Sequence, residues 1–379
     1  MAKKKILVLT DHMPWGHRSI AKAIFNYLSE NEKENDYEVR YDEIKAETGV
    51  GNDIYTFLYR YVPLSNRVFH KIAATKMSVE FMEDFSMRNL PRLKKEIKWF
   101  KPDLVISCYF LHSWALVELK KEEGDFKLWT IVADPWSINP ISFVKMADKN
   151  ILYDNLAKKL ALKRGVDEDK TLVTGWWVRP EMYKRINREE ARKKMGINDD
   201  RPVIFVGGGS LGTHSLANLL PNLIFIKKKV AFVINTGVDK FAYKMVERYI
   251  KILAKLRKDN VVYIKNMGWI DNMAEVLGAC DIVFGKAGPN FLFDVVACEK
   301  PFVAITHVGG QEDGNIELIR KKKLGWVREK NNELVNFLYQ YLDDPKYFEE
   351  KFKKTIKKEA LNNQKSLKII LDEVKKELG

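Results

Sequence analysis

The sequence predicts an α/β protein built of two successive doubly wound parallel sheets, each with helices on both faces. Three observations predict it. Short apolar, β-branched runs alternate with helical patterns twice along the chain. Two of those runs end in glycine-bearing turns that open directly into helices, at 207–212 and 285–289. The chain has 379 residues, 46% of them hydrophobic, which at ~150 residues per domain is enough for two large cores.

In the amino half, residues 4–10 form a Leu-rich and β-branched run of the kind buried on both faces of a parallel sheet. A helix over 17–30 follows, making the crossover to a second strand at 37–41. Further strand-like runs stand at 103–108, 127–132, 149–153 and 171–174, with helical patterns at 77–100 and 112–121. The segment 52–76 breaks this rhythm. It sets Tyr55, Tyr59 and other aromatic residues among Arg60, Arg67, His70 and Lys71, at a spacing that fits two short amphipathic helices. They fit either a helical pair packed on its own sheet, which the pattern alone favours, or a hairpin that meets the membrane interface.

Periodicity lapses in the charged stretch 179–201, and Pro202 opens a second series. Strands are expected at 203–206, 229–235, 261–265, 281–284 and 301–305, making this half Rossmann-like again. A lysine-rich helical pattern closes the chain from 345 to 378, its charges forming a solvated face. The expected domains are thus 1–185, 186–345 and a helical segment 346–379.

Residues 285–315 hold the densest chemistry. A strand enters the Lys286–Pro289 turn and a helix starts near Asn290, so backbone N–H groups face the strand end, where phosphate binds well. The next strand leads into Gln311, Glu312, Asp313 and Asn315, amide and carboxylate groups suited to a ligand rich in hydroxyls. Together they suggest a nucleotide-sugar site. The turn 207–212 is a second phosphate candidate, although such turns are often purely structural. Asp294, one helical turn beyond Asn290, suits a ribose diol or merely complements the helix dipole. Gln311 and Glu312 read sugar hydroxyls or cap a helix. His17, in the first helical turn, is a candidate general base or a structural histidine.

Lys plus Arg total 65 against 51 acids, a net charge of +14. Such an excess favours an anionic partner without choosing among nucleic acid, membrane and phosphorylated substrate, and abundant Lys and Glu also fit growth at high temperature. No nucleic-acid-binding signature is present. Cys108, Cys280 and Cys298 have no metal-ligand spacing and read as reduced core residues. There is no Ser-His-Asp order, nucleophile elbow, Walker A loop or metal cluster, so hydrolase and NTPase readings lose support. No apolar run approaches the ~18 residues of a membrane span, and the 6–9 run is too short for a signal peptide. The expected location is cytoplasmic.

The residues 266–281 (NMGWIDNMAEVLGACD), 286–289 (KAGP) and 310–315 (GQEDGN) resemble glycosyltransferase family 28, in particular its monogalactosyldiacylglycerol synthases and bacterial diacylglycerol glucosyltransferases. The bacterial peptidoglycan N-acetylglucosaminyltransferase is a more distant likeness. The resemblance continues at Thr10 and Asp11, at Gly16, His17 and Arg18, at 132–134 (VAD) and through 148–175. It implies a GT-B fold, with two Rossmann-like domains facing across a cleft. It also implies an inverting, metal-independent transfer of a hexose from a UDP-sugar, with no cofactor, to a diacylglycerol-like lipid, by a peripheral protein on the inner face of the cell membrane.

By position, the resemblance puts uracil at backbone near Ile270 and Met273 and the diphosphate at Ser210, Gly288 and Asn290, with Gly208, Gly209 and Lys286 in the same turns. Asp294 meets the ribose, and Gln311 and Glu312 meet the sugar, beside Asn315. His17 is the base. Tyr55, Tyr59, Arg60, Arg67, Lys71 and Asp134 serve the acceptor and anionic lipid, which turns the hairpin reading from packing to membrane contact. Several positions depart from the family pattern: Met13, Pro14 and Trp15 in the first loop, Asn139 before Pro140, Trp176 and Trp177 after Gly175, Asn290 and Phe291 for Gly and Thr, and Asp294 for Glu. The alternatives are a polyprenyl-linked or other amphiphilic acceptor, a UDP-sugar-binding protein without turnover, and a sugar-nucleotide epimerase, which the aromatic hairpin weakens.

Overall fold

A computed structural model of the chain describes residues 3–13, 16–46, 75, 80, 84–207, 216, 219–257 and 259–379. They fall into two compact units: Met1–Arg179 with Gly309–Gly314 and Asn362–Gly379, and Pro180–Val308 with Asn315–Leu361.

The first unit is built on strands β1 (Lys4–Thr10), β2 (Tyr37–Glu43), β3 (Leu104–Ser107), β4 (Lys127–Ile131), β5 (Lys149–Leu152) and β6 (Thr171–Val173). Their order is β2-β1-β3-β4-β5-β6, and every pair is parallel. Ile6 to Leu9 are fully buried, as a strand covered on both faces requires. Helix α1 (Gly16–Glu30) follows β1, α2 (Leu90–Phe100) precedes β3, α3 (Phe110–Glu123) follows β3, and α4 (Asn155–Lys163) follows β5. The chain steps from β1 to β2 on one side and to β3 on the other, so the order reverses at β1. Ligands of such sheets bind at that place, beyond the carboxyl ends of the strands.

The second unit repeats the plan with β7 (Val203–Gly207), β8 (Val230–Asn235), β9 (Val262–Met267), β10 (Ile282–Lys286), β11 (Phe302–Thr306) and β12 (Gly325–Val327). Their order is β12-β11-β10-β7-β8-β9, again all parallel. Here the reversal lies at β7 and β10. Helices α5 (Arg188–Lys194), α6 (Lys240–Leu256), α7 (Met273–Ala279), α8 (Pro289–Ala297), α9 (Asp313–Lys321) and α10 (Asn331–Asp343) connect and cover it. Asp281 braces the start of β10: it accepts from the buried Arg192 Nη2 at 2.6 Å, from Arg188 Nη2 at 2.5 Å and from the Val203 N–H at 2.8 Å.

The eleven strands expected from sequence are all present within a residue or two of their expected ends, and β12 is added to them. Three residues, Gly-Trp-Val, are too short a run to display strand periodicity. The helix expected after the 207–212 turn, helical at Leu216 and Leu219, ends in a 3-10 turn, Leu220–Phe225, with Pro221 at its start. The units part at 179/180, where 185/186 was expected, and residues 346–379 do not form a segment of their own. They make α11 (Pro345–Lys351), α12 (Lys353–Gln364) and α13 (Ser366–Leu378), and the division falls inside α12.

The physical reason is the seat that unit one builds for α13. Glu377 and Glu373 pair with Lys127 at 3.2 Å and Lys149 at 2.9 Å. The Trp176 N–H donates to Asn363 Oδ1, and Ser366 Oγ donates to the Trp176 carbonyl, each at 2.9 Å. Trp176 is buried edge-on against Tyr153, so this departure from the family pattern is a packing device. Gly175, at φ +90°, would put a Cβ 3.1 Å from the Asn362 carbonyl oxygen. Gly175→Ala is therefore expected to cost about 1–3 kcal/mol and to lower the melting temperature by a few degrees; an unchanged melting temperature would count against this seat.

Candidate functional site

In unit two, candidate residues gather at the carboxyl edge of β10. The β10–β11 register shifts between Gly285 and Lys286, and the strand ends in the turn that carries Ala287 and Gly288. The turn is held from three sides. The Ala287 N–H donates to the Thr306 carbonyl at 2.9 Å, the Gly288 N–H donates to the Lys286 carbonyl at 2.8 Å, and Asn315 Nδ2 donates to the Ala287 carbonyl at 2.8 Å. Helix α8 then starts at Pro289, whose missing N–H and fixed φ suit the first helical position. Its N-cap, Gly288, has no side chain to cap the helix, and the first turn carries no acid. Its N-terminal end, carrying a positive partial charge of about half an elementary charge, is therefore presented at the edge of the sheet.

Asn290 stands in that first turn and Gly288 at its cap. Phe291 turns inward instead. Its ring lies 5.8 Å from that of Phe205 and 6.0 Å from that of Phe302. A Cβ on Gly285 would stand 2.6 Å from Phe291 Cε1, so bare glycine at 285 makes room for the ring. The departure at Phe291 is thus absorbed by the core beneath the turn. Asn315, expected among the sugar-reading groups, is 1% exposed and serves as the brace on the turn.

Asp294 is half-buried on α8 and close enough to Tyr183 for its charge, after burial, to help raise the phenol well above its ordinary range. The Tyr183 hydroxyl is enclosed and has no hydrogen-bond partner among the described residues. Ile270 and Met273 flank the start of α7, where Asn272 Oδ1 accepts the Glu275 N–H at 3.2 Å. Gly208, Gly209 and Ser210 lie outside the described residues, as do Tyr55, Tyr59, Arg60, Arg67 and Lys71 of the aromatic segment.

In unit one the candidates stand beyond β1, β3 and β4. Asp11, directly after β1, accepts the His12 and Ala46 N–H groups at 2.8 and 2.9 Å, fixing the strand exit. His17 occupies the first turn of α1. Its Nδ1 is enclosed without a partner, and burial pushes the imidazole down to about 4, a backbone hydrogen bond at Cys108 working against the shift. Tyr109 joins it edge-on at 5.4 Å and also meets His112 at 5.1 Å. His112 is fully buried, neither ring nitrogen has a hydrogen-bond partner among the described residues, and burial followed by the charge of His17 pushes it to about 3.

Asp134 lies just past β4. Burial pushes its carboxyl up to about 7, and the nearby Glu312 carboxylate adds to the shift. Two contacts fix this region. Trp136 Nε1 donates to Asp154 Oδ2 at 3.0 Å, and the Gly314 N–H donates to Ser137 Oγ. A Cβ on Gly314 would come 2.5 Å from the Ser137 backbone nitrogen, so only glycine allows segment 309–314 to lie so close to Ser137. Glu312 is buried there and Gln311 half-buried. The structure therefore brings Asp134 and Glu312 together, although sequence reasoning set one on the acceptor and the other on the sugar. His112, Tyr183 and Ser137 were not singled out. The only signal for His112 is a histidine inside an otherwise apolar helical stretch.

Among the described residues no cluster of three or more His, Cys, Asp or Glu side chains is arranged to hold a metal ion, and no helix is long and apolar enough to cross a membrane.

Residues 17–178 match the family model described as monogalactosyldiacylglycerol (MGDG) synthase, and residues 203–370 match the glycosyltransferase family 28 C-terminal domain. The chain is 24% identical over 363 residues to the chloroplastic monogalactosyldiacylglycerol synthase of Spinacia oleracea, covering 89% of this chain and 66% of that protein. It thus spans just under two thirds of that relative's length. Among solved structures, Acinetobacter baumannii MurG superimposes with a TM-score of 0.59 at 14% identity, covering 98% of this chain and 99% of that one. The UDP-GlcNAc 2-epimerase of Neisseria meningitidis bound to UDP-GlcNAc gives 0.61 at 14% identity, covering 98% and 100%. The fold is of the GT-B type. The chain belongs to glycosyltransferase family 28, with an amino-terminal half of the monogalactosyldiacylglycerol synthase type and the family's carboxyl-terminal domain.

The two histidines dictate a pH response. Each is buried neutral, so between its ordinary value near 6.5 and its depressed one the unfolded chain binds a proton that the folded chain refuses. Stability therefore falls as pH drops through that window. His112→Leu should lose less stability than the parent between pH 7 and pH 5.5, by about 1 kcal/mol. Parallel melting curves against pH would refute the neutral burial of His112.

Proposed function

We propose that the protein is an inverting, metal-independent glycosyltransferase that moves a hexose from a UDP-sugar to a hydroxyl of a diacylglycerol-like lipid. The observation that carries this reading is the acid-free, glycine-capped first turn of α8 behind the braced Lys286–Pro289 turn, in a chain whose two halves match the two family models. The likeness to a sugar-nucleotide epimerase extends to the fold alone, whereas both family matches are of the transferase kind.

The chemistry is a single displacement. The acceptor oxygen forms a bond to the anomeric carbon as the bond from that carbon to the UDP oxygen breaks, which inverts the centre. The acceptor proton goes to a base, and the departing diphosphate gathers negative charge. The α8 N-terminus meets that charge with fixed dipoles, an interaction worth up to about 2 kcal/mol in favourable partly buried geometry. Gly288 and Asn290 hold the diphosphate, Asp294 takes the ribose, directly or through a water that makes up for its shorter side chain, backbone near Ile270 and Met273 meets uracil, and Gln311 and Glu312 take the sugar. Gly208, Gly209 and Ser210 supply the second phosphate turn, and the 52–76 segment receives the lipid. The protein works as a peripheral one at a membrane face.

His17 is the base candidate by position. A specific observation favours a second reading in which Asp134 takes the proton: its carboxyl is held at about 7, close to the pH at which a base is both available and strong, whereas His17 at about 4 is a weak acceptor. The readings separate by pH. If Asp134 is the base, its ionised form appears as pH rises through 7, and kcat/KM climbs with it.

Incubation with labelled UDP-glucose, UDP-galactose or UDP-N-acetylglucosamine and mixed lipids should yield a glycolipid in the presence of EDTA. Retained UDP binding with no product from any donor would leave a binding protein, and activity that EDTA abolishes and magnesium restores would refute metal independence. In the same assay, replacing the true base, by His17→Ala or Asp134→Asn, should lower turnover by ~10²–10⁴ with the affinity for UDP kept. Asp134→Asn should also erase the limb near pH 7. Full turnover in Asp134→Asn removes Asp134 as base, and full turnover in His17→Ala removes His17.

A further inference from the structure

Helix α6 seats its Ala242, Val246 and Leu253 on the second sheet and leaves its outer face uncovered. Phe241, Ile252 and Leu256 on that face are 72%, 52% and 63% exposed. At 100° per residue they share an arc of about 120° with Lys244, Arg248 and Lys255, and those three cations are exposed as well. None of the three enters an ion pair recorded among the described residues. The helix has one acid, Glu247, which is half-buried and accepts from Asn266 Nδ2 at 2.8 Å.

The patch continues past the helix end. Arg257 Nη1 donates to the carbonyls of Ile224, at 2.9 Å, and Ile226. That bond sets Phe225, 68% exposed, and the exposed Lys227 beside the last turn of α6.

We infer that the outer face of α6, extended by Phe225, is a docking surface for an anionic lipid bilayer. Cations and apolar side chains interleave on one side of a helix about 25 Å long, so the rings and branched chains can enter the headgroup boundary while the ammonium and guanidinium groups stay at phosphate level. A second copy of this chain is disfavoured as occupant, because a two-fold contact would set this uncompensated positive face against itself. An acidic protein would satisfy the charges but gives no reason for the interleaved apolar groups. The surface is separate from the residues assigned to transfer, and it rests on the proposed lipid acceptor only in making a bilayer the expected occupant.

The test is co-sedimentation of the whole protein with phosphatidylcholine vesicles, with and without phosphatidylglycerol, and with no sugar donor present. The protein should bind the phosphatidylglycerol vesicles, and salt should weaken the binding. Lys251 stands at the border of the same face, exposed. Lys251→Gln with Lys255→Gln should lower the partition coefficient roughly 30-fold. Phe241→Ser with Ile252→Ser should lower it at unchanged net charge. All four side chains are exposed, so both variants should keep the parent's melting temperature. Partitioning equal to the parent's in both variants overturns the inference, as does a change in oligomeric state or in binding to an acidic protein or nucleic acid in place of the vesicle effect. Loss of transfer alone leaves it standing, and an active enzyme whose vesicle binding ignores α6 defeats it alone.

Discussion

The candidate phosphate turn of the second unit is braced by one long-range side-chain hydrogen bond, from the Asn315 amide to the Ala287 carbonyl. It joins residues 28 positions apart and fixes a turn whose helix N-cap, Gly288, has no side chain of its own to cap with. Between a bulged strand end and a proline-started helix, the Ala287 carbonyl would otherwise be a buried acceptor without this partner, a loss worth about 1–3 kcal/mol. Held in this way, the turn presents the α8 N-terminus as a rigid dipole that need not reorganise when charge arrives. Glycine at 285 and the ring of Phe291 pack behind the turn, so the turn is supported from the core as well.

The first unit is organised differently, around titratable groups kept in their uncharged forms. His17, half-buried, and His112, fully buried, are held as neutral rings that both pack edge-on against Tyr109, and Asp134 is held near a protonated state. Their pH demands oppose one another. The histidines favour the folded chain at higher pH, whereas a carboxyl with a raised pKa favours it at lower pH. Structural economy alone would have placed apolar side chains at these positions. Perturbed groups gathered at the carboxyl edge of a parallel sheet are the usual mark of a working site, and the contact between Gly314 and Ser137 brings Glu312 into that group.

The scaffold was legible in the sequence because parallel strands buried on both faces must be written as unbroken apolar runs. Only β12 was too short to show. The turn at Lys286–Pro289 was legible for a related reason, since proline and glycine there leave few other conformations. Side-chain roles were harder to read. The 311–315 cluster is four polar residues around Gly314, yet the fold buries Glu312 and Asn315, three residues apart, and exposes Asp313. Which of them braces the backbone depends on β10, far away in the chain. Phe291 read as a misfit until Gly207 and Gly285 supplied its space, and Trp176 until Ser366 of α13 supplied its partner. His112 gave no signal beyond a lone histidine in an apolar helical stretch, because a helix does not announce what packs against it.

The central claim is that the braced turn and the α8 N-terminus hold the diphosphate. Titration calorimetry of UDP into the parent protein and into Asn315→Leu, which removes the brace and keeps the volume, tests it most directly. The account predicts at least a tenfold weaker affinity in the variant, about 1.4 kcal/mol, with a cooperative melt retained. A folded Asn315→Leu protein that binds UDP as tightly as the parent would contradict it.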